Sequence, residues 1–164
     1  MSIVSGEGGV VVKIRTNPDV FWNHIQHSKK YFPKAAKTLY SSITSDSKKC
    51  NVRYVTYGPR AENIKNSTEI ITKNDGGEFA YTVTGDILTK FSLTEFKAVI
   101  RYPRGGWVSW TWTYKYSSND EEDAISVDKE MSEIATETLA KVDYYVQSES
   151  ANFAAAAKLQ AQAS

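Results

Sequence analysis

The chain has 164 residues, of which 41 % are hydrophobic and 12 % aromatic, enough apolar material for one folded domain and too much for a disordered chain. Its 20 Lys and Arg against 19 Asp and Glu leave a formal charge of +1, which gives no field to hold a polyanion and argues against nucleic-acid binding. No run approaches the roughly 18 apolar residues that span a bilayer, residues 1–15 lack the order of a secretory signal, and one cysteine, Cys50, excludes an internal disulfide or a multi-thiolate metal site. A cytosolic setting is expected.

A lead-in with Gly6, Gly8 and Gly9 precedes Val10 to Arg15, whose β-branched run reads as a strand. Asn17-Pro18-Asp19 then sets a capping side chain before a proline suited to the first helical turn, so a short helix begins there. A second short helix is expected over Ser28 to Ala36, with Pro33 preventing a longer one. From Leu39 to Tyr116, runs of apolar and β-branched residues are separated by turn chemistry at 46–49, Gly58-Pro59, 74–77, Gly85-Asp86 and 103–106, which reads as an antiparallel meander. Its clearest strand is Trp107 to Tyr116: Trp110, Trp112, Tyr114 and Tyr116 alternate with Ser109, Thr111, Thr113 and Lys115, so one face is aromatic and one polar.

An acidic turn at 119–123 leads to Ser126 to Ser148, where Val127, Met131, Ile134, Ala135, Thr138, Val142 and Tyr145 fall on one helical stripe. Residues 149–164 lack such a stripe and are expected to be a disordered tail beyond a single domain, 1–148. The expected class is therefore α+β: a curved antiparallel sheet whose apolar face is covered by one long C-terminal helix. Small residues on the helix stripe, Ala135 and Thr138, favour surplus space between helix and sheet, which would form an aromatic-lined pocket for a small molecule. The same aromatics would equally make a solid core, and periodicity does not separate the two.

The order of these elements, together with Phe32-Pro33-Lys34, Val83-Thr84-Gly85-Asp86 and Val108-Ser109-Trp110-Thr111-Trp112-Thr113-Tyr114, resembles the plant Bet v 1 family and, within it, the major latex protein-like branch. The resemblance covers about residues 9–148. It implies a helix-grip fold, with seven strands around the C-terminal helix and two short helices after the first strand. It also implies a large cavity for hormones, sterols, flavonoids, fatty acids, terpenoids or alkaloid precursors. Carried over by strand register, Arg53, Val55 and Tyr57 would face inward from one strand, Thr94, Phe96, Ala98 and Ile100 from another, and Trp110, Trp112, Tyr114 and Tyr116 from the last. Met131, Ile134, Ala135, Thr138 and Val142 would form the helix wall. Arg53 would hold a ligand carboxylate or carbonyl; the competing reading is a solvated sheet-edge arginine.

Two departures from the family pattern stand out. The loop Ser45 to Asn51 contains no glycine where relatives have a glycine-rich one, which undermines a backbone phosphate nest there. In Glu78 to Val83 the large residues fall on the face that the family register would turn outward.

Two functions follow from the resemblance. One is a carrier that binds a hydrophobic small molecule. The other is a cofactor-independent cyclase or isomerase of specialised metabolism, with Tyr114, Tyr116, Arg53 and Glu78 as candidate catalytic groups. Norcoclaurine-synthase-like members use a tyrosine, a glutamate and a lysine, and 78–84 holds no lysine, which disfavours that reaction. No cofactor or metal is expected: His24 and His27 alone are too few ligands, and 120–123 reads as an acidic approach to a helix N-terminus. Oligomeric state is left open between monomer and weak dimer.

Overall fold

The computed structural model describes residues 2–163. Seven strands form one antiparallel sheet: β1 (Ile3–Lys13), β2 (Tyr40–Ser45), β3 (Val52–Tyr57), β4 (Asn66–Asp75), β5 (Glu78–Gly85), β6 (Leu93–Arg104) and β7 (Trp107–Ser117). Their spatial order is β1-β7-β6-β5-β4-β3-β2, so the chain runs as a meander from β2 to β7 and the first strand closes against the last. Between β1 and β2 lie α1 (Pro18–Gln26) and α2 (Ser28–Ala35). The Asn17 side chain caps α1 by accepting from the backbone N–H of Asp19 and Val20 at 2.9 and 3.2 Å. Short α3 (Asp86–Lys90) follows β5, and α4 (Glu121–Ile125) precedes α5 (Val127–Ala163), which crosses the concave face. Among the described residues no helix is long and apolar enough to cross a membrane.

The seven-stranded helix-grip architecture agrees with the expectation, with local differences. The first strand begins at Ile3 rather than near Val10, because its glycines are part of the sheet. A Cβ on Gly6 would overlap the Tyr114 ring, and one on Gly8 would overlap the Asp128 carboxylate and the Trp112 indole. These glycines therefore admit the large rings of β7 beside β1. In β6, Leu93 pairs with Tyr116 and Glu95 with Lys115. Thr94 is thus the extra residue of a bulge, and Leu93 is buried while Thr94 is exposed. In β5, Phe79, Tyr81 and Val83 are buried; the large residues face the core, opposite to the family register, and the β4–β5 pairing slips between Ile71 and Lys73.

Helix α5 buries Val127, Met131, Ile134, Ala135, Thr138, Leu139, Val142 and Val146. It is anchored at both ends of the domain. Asp128 accepts from Trp112 Nε1 and the Tyr114 hydroxyl, each at 2.9 Å. Asp143 accepts from the backbone N–H of Arg15 and Thr16 at 3.0 to 3.2 Å, and from the Thr16 hydroxyl at 2.5 Å. Residues 149–163 continue the helix where a disordered tail was expected; residue 164 of that tail lies outside the described residues. The difference has a local cause: Ala, Gln and Lys are good helix formers, and a segment joined to a folded helix needs no new nucleus.

Gly8→Ala is expected to destabilise the fold by about 1–3 kcal/mol through overpacking against Trp112 and Asp128, read as a lower urea midpoint. An unchanged midpoint would show that the β1 glycines are not needed for this packing.

Candidate functional site

The centre of the concave face is polar. β3 and β4 are antiparallel neighbours in which Arg53 stands directly opposite Glu69, and alternation turns both side chains inward. Arg53 Nε donates to Glu69 Oε1 at 2.6 Å, and Arg53 Nη1 donates to the Ser28 hydroxyl of α2 at 2.6 Å. The guanidinium also stacks over the Phe79 ring, 5.2 Å from its centroid. Arg53 is 5 % exposed and Glu69 6 %, so this is a desolvated ion pair rather than a solvated sheet-edge arginine.

Three phenols surround the pair. Tyr40 donates to Thr138 Oγ1 at 2.8 Å, while Thr138 donates to the Ile134 carbonyl at 2.6 Å. Burial, reinforced by the negative charge of Glu69, pushes the pKa of Tyr57 and Tyr81 upward. Burial does the same for Tyr40, with the neighbouring Tyr57 as the next cause. All three are neutral hydrogen-bonding groups at pH 7. One buried side-chain donor in this part of the sheet has no hydrogen-bond partner among the described residues, Trp110 Nε1, while the Tyr57 phenol has the Ser67 hydroxyl as a partner.

Around the pair, Val55, Tyr57, Phe96, Ile100, Trp110, Met131 and Ile134 enclose a residual space together with Phe32, Tyr40, Ile43, Tyr81, Val83 and Ile87. That space is only about 20 Å³, room for about one water. The large cavity expected from the sequence is absent in this conformation. The small residues of the helix stripe do not hold α5 away from the sheet; they let it approach, so that Thr138 is fully buried against Tyr40.

Next to this space lies an open cleft of about 1060 Å³, bounded by the 58–65 loop, α3 and α5. Its charged lining consists of Arg60, Lys90, Lys129, Glu62, Asp123, Glu130, Glu133 and Glu137. Two contacts fasten the loop to α5: Asn63 Nδ2 donates to Glu130 Oε2 at 2.8 Å, and Arg60 Nε pairs with Glu137 Oε2 at 3.2 Å. Glu130, Ile134 and Glu137 follow at i, i+4 and i+7 on one helix face. Ile134 sits between the two fasteners and lines both the cleft and the inner space.

Other candidates from the sequence lie elsewhere. Ala98, Trp112, Ala135, Thr138 and Val142 are buried core residues that do not border the inner space, and Thr94 is turned out by the bulge, its hydroxyl donating to the Lys115 carbonyl at 3.2 Å. Of the four groups put forward for catalysis, Arg53 alone borders the inner space. Tyr114 is held by Asp128, with burial first and that carboxylate next raising its pKa. Tyr116 is buried in contact with the Tyr114 ring, their centroids 6.0 Å apart. Glu78 lies on the outer face, 2.7 Å from Lys73 Nζ, and that hydrogen bond lowers its pKa. Sequence reasoning missed Glu69, Tyr40 and Tyr81.

No family model matches the sequence, and no curated protein matches it. Similar solved structures include norcoclaurine synthase from Thalictrum flavum in complex with dopamine and hydroxybenzaldehyde. It matches with a TM-score of 0.73 at 13 % identity, over 90 % of this chain and 89 % of that one. Major latex-like protein 151 from Panax ginseng matches with a TM-score of 0.71 at 13 % identity, over 86 % and 97 %. An uncharacterised protein of Bacillus thuringiensis matches with a TM-score of 0.65 at 13 % identity, over 87 % and 99 %. At such identity the likeness is one of fold: the chain shares the helix-grip fold of norcoclaurine synthase and major latex-like protein 151.

Removing one partner of a buried ion pair strands the other, so Glu69→Ala should cost about 3–5 kcal/mol in urea unfolding, whereas the double change Arg53→Met with Glu69→Leu should be near neutral or stabilising. A single-variant loss below about 1 kcal/mol would show that water reaches the pair.

Proposed function

We propose that the protein binds a hydrophobic small molecule between the sheet and α5, in an interior that widens to take it and is entered from the cleft past Ile134. The observation that carries this reading is the buried Arg53–Glu69 pair bordering the residual space. Buried ion pairs are weak contributors to stability, and apolar replacements are often as good or better. A desolvated pair placed among three phenols and beside an unpartnered indole N–H is therefore better accounted for by recognition than by folding. The occupants expected from the resemblance are plant hormones, sterols, terpenoids or alkaloid precursors.

Expansion of the interior is compatible with its lining. Met131 has a flexible, unbranched side chain, and the Arg60–Glu137 contact is a surface ion pair of the kind worth about 0–1 kcal/mol. A ligand that buries apolar area gains about 25 cal/mol per Å² to offset the opening. The alternative, a cofactor-independent cyclase or isomerase, would use the same interior. Since Tyr114, Tyr116 and Glu78 do not border it, binding is the reading favoured by the geometry.

The neutral fluorophore N-phenyl-1-naphthylamine should bind with micromolar affinity, and Ile134→Trp should weaken it at least tenfold, about 1.4 kcal/mol, because the larger side chain takes up the inner space that Ile134 lines. Native mass spectrometry of freshly purified protein should show a small molecule that is retained by the wild type and lost in the variant. Equal fluorophore affinity in both proteins would overturn binding in the space beside Ile134; no binding to either would overturn the interior site.

A further inference from the structure

The chemistry of the ligand follows from the charge balance of the interior, given the binding site described above. One acidic and one basic side chain border the residual space, Glu69 and Arg53, and they are already joined as an ion pair at 2.6 Å. The phenols of Tyr40, Tyr57 and Tyr81 stay protonated, so the lining sums to zero. From this we infer that the interior selects an uncharged, largely apolar molecule carrying an oxygen acceptor, a hydroxyl or a ketone, and discriminates against carboxylates and amines.

A carboxylate entering the space would compete with Glu69 for one guanidinium. Two negative charges would then share a single positive one in a low-dielectric interior, which disfavours keeping both ionised. An ammonium would compete with Arg53 for Glu69 in the same way. A neutral oxygen meets no such conflict. The indole N–H of Trp110, on the wall of the space and without an acceptor, gains a partner when such an oxygen arrives, removing the penalty of a buried unpaired donor. The cleft adds to the bias against anions, since its lining has five carboxylates against three cationic side chains. Of the two ligand groups that the resemblance would set against Arg53, a carboxylate or a carbonyl, the pairing with Glu69 thus favours the carbonyl.

The test uses three probes that differ only in the head group, 1-octanol, octanoate and octylammonium, titrated calorimetrically at pH 7 into the wild type and into Glu69→Gln. The wild type should bind 1-octanol at least tenfold more tightly than either charged probe. Glu69→Gln keeps an oxygen acceptor for Arg53 but leaves the interior with a positive charge, so the affinity of octanoate relative to that of 1-octanol should rise at least tenfold over the wild-type ratio. If the wild type prefers octanoate or octylammonium, or binds all three alike, the inference is overturned and the binding site stands. If none of the three binds, the site itself is overturned and the inference with it. The wild-type comparison decides the matter even if the variant fails to fold.

Discussion

The Arg53–Glu69 pair is the constraint around which the concave face is arranged. Two opposite charges on adjacent strands leave water together, and several kcal/mol of desolvation per ion must be offset by geometry. The structure meets that demand with a direct cross-strand pairing at 2.6 Å, a hydroxyl from α2 and an aromatic face from β5. The pair consequently ties together four elements, α2, β3, β4 and β5. It also sets the polarity of the interior, since the negative charge of Glu69 acts on the Tyr40, Tyr57 and Tyr81 phenols.

The same constraint explains why the grip is tight. Helix α5 presents Ala135 and Thr138 where it crosses the sheet, and small residues permit close approach as readily as they permit a void. Close approach prevails here because Thr138 can accept from the Tyr40 hydroxyl while returning its own proton to the Ile134 carbonyl. Trp110, Phe96 and Tyr81 occupy what is left. The interior therefore resembles a folded core with one charged pair inside it. The open cleft lies against this core, bounded by the 58–65 loop and the Glu130, Ile134, Glu137 face of α5.

Much of the architecture was legible in the residues. The alternation of Trp110, Trp112, Tyr114 and Tyr116 identifies a half-buried strand because its period matches the pleat, and the stripe from Val127 to Val142 identifies the helix that covers it. What escaped notice depends on partners elsewhere in the chain. Gly6 and Gly8 read as a loop until β7 brings its rings against them. Thr94 reads as inward until the bulge consumes one residue of alternation. Glu69 lay in a strand whose adjacent Ile70 and Ile71 obscure the period, and only the register that sets it opposite Arg53 marks it as internal. Pairing opposite charges across the β3–β4 hairpin was the available signal. The volume of the interior was not readable at all, since it depends on how closely α5 settles.

The central claim is that the space around Arg53 and Glu69 opens to admit a ligand. Methyl-resolved NMR of protein titrated with 1-octanol tests it most directly. The account predicts saturable shifts at Ile43, Val55, Ile100 and Met131, which border the inner space, together with contacts from the alkyl chain to Ile134. Shifts confined to exposed methyls such as Ile3 and Ile125, with the inner methyls unmoved at saturation, would contradict it.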